Sequence, residues 1–156
     1  MLNINTNIKQ GEKMEKKTLD QQFTEQTGID VSKKERGVNL KPVIGMGVTR
    51  SINGDSYPYT IIEILKHPKG KEILKIENDS DLYTHDSFDI FSNGKKYKKE
   101  KYAHYLIQEE KLDQYKKPYI VWKDIKWNEL TKRWNKGSSY WYHSIGKRRY
   151  SLDPSF

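Results

Sequence analysis

Apolar residues in this chain come in short runs broken by turn formers, and none keeps the period of about 3.6 residues that marks a long helix. The clearest run, Tyr57–Leu65 (YPYTIIEIL), is dense in aromatic and β-branched residues and predicts a strand. Pro58 within it points to an edge position or to the strand's opening residues. Glu72–Glu77 alternates with period two after a Pro68-Lys69-Gly70 turn. Val43–Ser51 reads as an earlier strand containing Gly45 and Gly47, followed by the turn signal Asn53-Gly54-Asp55. Shorter strands are predicted at Phe88–Phe91, Tyr102–Gln108, Tyr119–Trp122, Ile125–Leu130, Lys132–Asn135 and Ser139–Ile145. The pattern predicts a mainly β protein: a small, strongly bent antiparallel sheet or half-open barrel with short helical pieces.

Residues 1–42 differ. Thr18 is placed to cap a short helix over Leu19–Gln26, with Gly28 just beyond its end. The rest of this stretch is polar and offers few apolar groups to offset the cost of ordering a backbone. We expect a flexible or weakly helical N-terminal arm over 1–42, followed by a β-rich ligand-binding domain over 43–156.

Composition narrows the classes. The chain has 156 residues, 34% hydrophobic and 32% charged, a lean core for its length that favours a homo-oligomer. It contains no cysteine, which removes disulfides and thiolate metal sites and fits a reducing compartment. Neither a secretory signal nor a run of about 20 apolar residues is present, so the expected location is the cytoplasm, that of the host cell if the protein is phage-encoded, with no membrane partner. Net charge is +8, and residues 94–156 carry 16 Lys and Arg against 7 acidic residues. Three of the five arginines (Arg133, Arg148, Arg149) share that tract with Trp127, Trp134, Tyr140, Trp141, Tyr142 and Tyr150.

Flat rings alternating with cations suit a ligand that is both planar and anionic, a nucleotide or a nucleic acid. The candidate ligand-binding residues are Arg148, Arg149 and Tyr150, then Arg133, Trp134 and Trp141, with Arg50 as the lone arginine of the acidic middle section. Arg50 has three readings: a pair with Asp55, a pair with Glu63, or a contact to bound phosphate. Arg148 and Tyr150 would project one way along an extended strand and Arg149 the other.

Other features read as structure. Gly45-x-Gly47 lacks the third glycine and the helix of a dinucleotide loop, and reads as a bulge. Asn78-Asp79-Ser80-Asp81 lacks the glycine and glutamate of a calcium loop and reads as a turn. His67, His85, His104 and His143 show no metal-ligand spacing, and His143 reads as a satisfied surface histidine. No catalytic signature is present, so we expect a binder rather than an enzyme, with no metal or cofactor.

Several segments carry a resemblance: Gly45-Met46-Gly47-Val48-Thr49, Tyr57-Pro58-Tyr59-Thr60-Ile61-Ile62-Glu63-Ile64, Arg133-Trp134-Asn135-Lys136-Gly137, and Ile145-Gly146-Lys147-Arg148-Arg149-Tyr150 with Asp153-Pro154 and Phe156. Together they resemble small phage and prophage proteins of the Thoeris anti-defence protein 1 type. The resemblance spans roughly 44–65 and 127–156. It implies a phage-encoded inhibitor of host antiviral signalling that captures a cyclic ADP-ribose or cyclic oligonucleotide messenger without cleaving it, in a homo-oligomer of β-rich subunits. The chain departs from that pattern at Glu77 and Asn78, where a basic residue is expected, and in its longer, lysine-rich middle. The alternative expectation is a small-barrel nucleic-acid-binding protein using the basic aromatic C-terminal region.

Overall fold

The computed structural model describes residues 17–33, 39–79 and 101–152. The strand expected at Phe88–Phe91 lies outside them, as does the closing Asp153–Phe156. A helix α1 (Leu19–Thr27) and a 3₁₀ turn (Val31–Lys33) precede seven strands. These are β1 (Gly47–Ile52), β2 (Asp55–Lys66), β3 (Glu72–Asn78), β4 (Ala103–Leu112), β5 (Pro118–Asn128), β6 (Arg133–Lys136) and β7 (Tyr142–Gly146). They form one antiparallel sheet in the order β6-β5-β4-β3-β2-β1-β7. The expected mainly β, strongly bent sheet is what forms, and it does not close into a barrel.

The sheet curls until β7, at one end of the order, faces β5 near the other. The seam between them is bridged by the His143 side chain and the Asn39-Leu40 segment in place of a ladder. His143 Nδ1 donates to the Trp122 carbonyl at 2.9 Å. Asn39 donates to the Ile120 carbonyl and accepts from the Ile145 amide, while the Leu40 amide donates to the Ile145 carbonyl. Two residues forward on β5 match two residues back on β7, so the facing edges keep an antiparallel register without bonding directly. These contacts satisfy backbone groups that the open seam would otherwise leave unpaired.

Strand alternation sends Val48, Tyr59, Ile61, Leu74, Ile76, Leu106, Trp122 and Ile145 into one buried cluster on the inner face. Ile62 is the extra residue of a bulge where the β2–β3 register shifts, which keeps Ile61 and Ile64 on that face. Pro58 sits within a central strand rather than on an edge. The β3 register ends opposite Tyr59, so the amide that Pro58 lacks has no ladder partner to lose.

The N-terminal segment is not a free arm where the structure describes it. Thr18 and Gln21 form a reciprocal capping box, and Gly28 ends the helix at φ 80°. Phe23 is only 4% exposed and Val31 only 2%, both inside the core cluster with Met46. Phe23 on the helix and Val31 on the turn after it dock the segment against the sheet. Replacing Phe23 with Ala should lower stability by roughly 3 kcal/mol, read as a drop in the urea midpoint. A midpoint equal to wild type would show the segment detached.

Candidate functional site

Arg50 lies on the inner face of β1, opposite His143 of β7 and Tyr57 of β2. It is 3% exposed. Its Nη1 donates to Asp124 Oδ1 at 2.6 Å and to His143 Nε2 at 2.7 Å, and its guanidinium lies 4.2 Å from the Trp141 ring centroid. Neither expected acidic partner, Asp55 nor Glu63, takes this charge. Asp124, far along the chain on β5, does so because the curled sheet brings β5 against β1 and β7. The pair is joined through one atom on each side, leaving Arg50 Nε and Asp124 Oδ2 buried without hydrogen-bond partners among the described residues.

His143 is not at the surface; its side chain is fully enclosed. Because Nδ1 faces a carbonyl, it must carry the ring proton, and Nε2 is then the acceptor for Arg50. Burial, aided by the Arg50 charge and opposed by Asp124, pushes its pKa down to about 4. The 3.9 Å separation of Nε2 from Asp124 is therefore not an ion pair, since the ring is neutral.

Arg148 is equally committed. Its Nε donates to Asp79 at 2.9 Å, Nη1 bonds Asp20, and Nη2 donates to Thr60 Oγ1 at 2.6 Å. Its own amide donates to Asp20 as well. Thr60 in turn donates to Asp79. Gly47 makes room for this clasp, since a Cβ there would fall 2.7 Å from Arg148 Cγ. Beside it, a cavity of about 260 Å³ lined by Leu19, Thr60, Ile62, Glu77, Asp79 and Lys101 carries more acid than base, and Lys101 already pairs with Glu77. A phosphate-gripping role for Arg148 would have to displace an internal carboxylate.

Downstream, Ser151 and Ser56 exchange both backbone bonds, which holds the tail against β2. Tyr150 thereby meets Tyr57 (ring centroids 6.1 Å apart), and Tyr57 meets Trp141 at 6.2 Å. Burial and then the Asp55 carboxylate raise the pKa of both tyrosines above the usual phenol range. Asp55 thus gives this ring cluster a negative field. Arg149 and Lys147 are exposed on the same tail.

The outer face of the sheet gathers the other half of the aromatic tract. Trp127 and Trp134 are cross-strand partners on β5 and β6, with rings 5.2 Å apart. Trp134 also meets Tyr105 of β4 at 5.1 Å, and Lys75 Nζ of β3 lies 5.8 Å from the Tyr105 ring. Lys136 falls on this face by alternation, opposite Ile125. Farther along, Lys123 Nζ stands 5.7 Å from the ring of Tyr142, which is 70% exposed. Arg133 is exposed beside Trp134 but on the opposite face.

The seven sequence candidates therefore divide among separate places. Arg50 and Trp141 belong to the inner network, Tyr150 to the ring cluster, Arg148 to the clasp, and Trp134 to the outer platform, while Arg149 is exposed on the tail and Arg133 on the face opposite Trp134. Sequence reasoning missed Asp20, Asp79 and Asp124, the acids that claim the two buried arginines. It also missed Tyr105 and Lys75, whose signal was their place on an alternating strand.

No known protein family, curated protein or solved structure matches this chain. No helix among the described residues is long and apolar enough to cross a membrane.

The inner network makes stability depend on pH. The folded pKa of His143 lies near 4, against 6.5 for an ordinary histidine, so the unfolded chain binds more protons between these values. The stability is complete above about pH 6.5 and should fall by on the order of 3 kcal/mol as pH drops to about 4. Burial, with a smaller contribution from Arg50, lowers His104 in the same direction. Urea titrations from neutral pH to pH 4 read the loss. Imidazole nitrogen shifts should show His143 neutral at pH 5.5, and a charged ring there would overturn the assignment.

Proposed function

We propose that the protein binds single-stranded nucleic acid without cleaving it, on the outer face of β3–β6. The observation that supports this best is the contiguous set Tyr105, Trp134 and Trp127, partly open to solvent and bordered by Lys75 and Lys136. A base can stack on any of these rings because every base has a flat π face, which makes such a surface tolerant of sequence. The lysines lie where a backbone crossing the strands would need countercharge. An open sheet face accommodates a chain, whereas a cyclic messenger calls for an enclosing pocket.

A second reading, capture of a cyclic nucleotide messenger as the resemblance implies, is favoured by the ring cluster of Tyr57, Trp141 and Tyr150 next to Lys147 and Arg149. It ranks lower because Asp55 opposes phosphate there, while both buried arginines are held by carboxylates. In this reading a homo-oligomer would supply the missing walls.

Fluorescence anisotropy with a labelled oligothymidine tests the first reading. Affinity should fall steeply as salt rises, the oligonucleotide should be recovered intact, and Trp134→Ala or Trp127→Ala should each weaken binding by roughly 1–3 kcal/mol, about 5- to 150-fold. No binding at low salt, or full affinity in both variants, would end it. Release of intact cyclic ADP-ribose on heating a loaded sample would instead establish the second reading.

A further inference from the structure

The turn joining β5 to β6 holds a carboxylate between two donors at the border of the aromatic platform. Glu129 Oε2 accepts from the Trp127 indole Nε1 at 2.5 Å, and its Oε1 accepts from Lys132 Nζ at 2.7 Å. Each carboxylate oxygen thus meets one donor, one neutral and one cationic. Both donors border the aromatic platform, since Trp127 is its outermost ring on β5 and Lys132 directly precedes β6.

The turn backbone that carries Lys132 is held by bonds that do not involve the Glu129 side chain. Lys132 takes a left-handed conformation at φ 55°, and its amide donates to the Asn128 carbonyl at 2.8 Å. The Asn128 side chain accepts from the Leu130 and Thr131 amides at 2.9 and 3.2 Å. Removing the carboxylate leaves these turn bonds untouched.

We propose that Trp127 Nε1 and Lys132 Nζ form a phosphate subsite of the platform, and that Glu129 occupies it in the free protein and yields it to a backbone phosphate of a bound strand. The inference rests on the stacking reading above and assigns that surface its phosphate contact. A phosphate oxygen accepts from an indole N–H and an ammonium as a carboxylate oxygen does. The exchange costs little because the pair is open to water, with the side chains of Lys132 and Glu129 65% and 73% exposed. Lys132, then Trp127, hold Glu129 below the usual carboxylate range, so it stays ionised and competes at neutral pH. Glu129 therefore acts as a built-in competitor that weakens the binding of every strand, so that engagement depends on stacking on the rings as well.

Oligothymidine anisotropy with the full chain, comparing Glu129→Gln and Lys132→Gln with wild type, tests this. Glu129→Gln should bind several-fold more tightly, with a log–log salt slope steeper by up to about 0.7, the increment for one more neutralised phosphate on a single strand. Lys132→Gln should bind more weakly, with a shallower slope. Unchanged or weaker binding by Glu129→Gln, with wild type binding normally, would overturn the subsite while leaving the platform intact. Absence of binding by all three proteins would overturn both. Inorganic phosphate and adenosine monophosphate serve as competitors: displacement of the strand only by the nucleotide supports joint stacking and phosphate contact, and displacement by neither at millimolar levels supports a need for a polymer. Full displacement by inorganic phosphate would overturn the coupling of this subsite to the rings.

Discussion

A guanidinium inside a curved sheet governs this structure. Arg50 is a full charge placed among Val48, Tyr59 and Ile145, where an unpaired ion would cost several kcal/mol. It is tolerated because β5 delivers Asp124 and β7 delivers the neutral nitrogen of His143 to the same guanidinium. Those two strands lie at or near opposite ends of the sheet order, so meeting the need of Arg50 requires the sheet to curl. The same histidine then spends its other nitrogen on the Trp122 carbonyl, tying the seam. The guanidinium also lies over the face of the Trp141 ring. Such a pair adds little net stability, because desolvation cancels much of the Coulomb gain.

The second buried arginine performs a comparable task at the other end of β1. Arg148 draws together α1 through Asp20, the end of β3 through Asp79 and the middle of β2 through Thr60. One planar, five-donor side chain reaches three elements at once, which a lysine could not reproduce. The helix contributes Asp20 from its first turn, where the helix dipole also favours a negative charge. Gly47 is needed for the closeness of the crossing.

Assigning two arginines to architecture changes which groups remain for ligands. Around Trp134 the outer face offers open rings with Lys75 and Lys136, and the bidentate forks that a small phosphorylated messenger would demand are largely committed to internal acids. Lysine is a mobile, strongly hydrated point charge, suited to following a polyanion without fixing its geometry. Partly open indoles and a tyrosine add stacking that does not discriminate among bases. In the reading proposed above, affinity on such a surface comes from several modest contacts in series, with the Glu129 carboxylate at its border as a competitor.

Much of the architecture could be read directly from local sequence. Period-two alternation, β-branched density in Tyr57–Leu65, the Asn53-Gly54 turn and the Thr18 cap with Gly28 each act within a few residues, so their signals survive without the fold. The chemical mixture of the C-terminal tract was equally visible, as was the commitment of arginine to special positions. What local pattern could not specify was where those positions point. Asp124 lies 74 residues from Arg50, and Asp20 lies 128 from Arg148, distances in sequence over which no periodicity carries information. Only the tertiary structure decided these: the curl of the sheet turns Arg50 to Asp124 and encloses His143, the docking of α1 brings Asp20 to Arg148, and strand pairing joins Tyr105 to two tryptophans on an open face. Charge burial is a property of the assembled surface, and it is fixed only when distant strands meet.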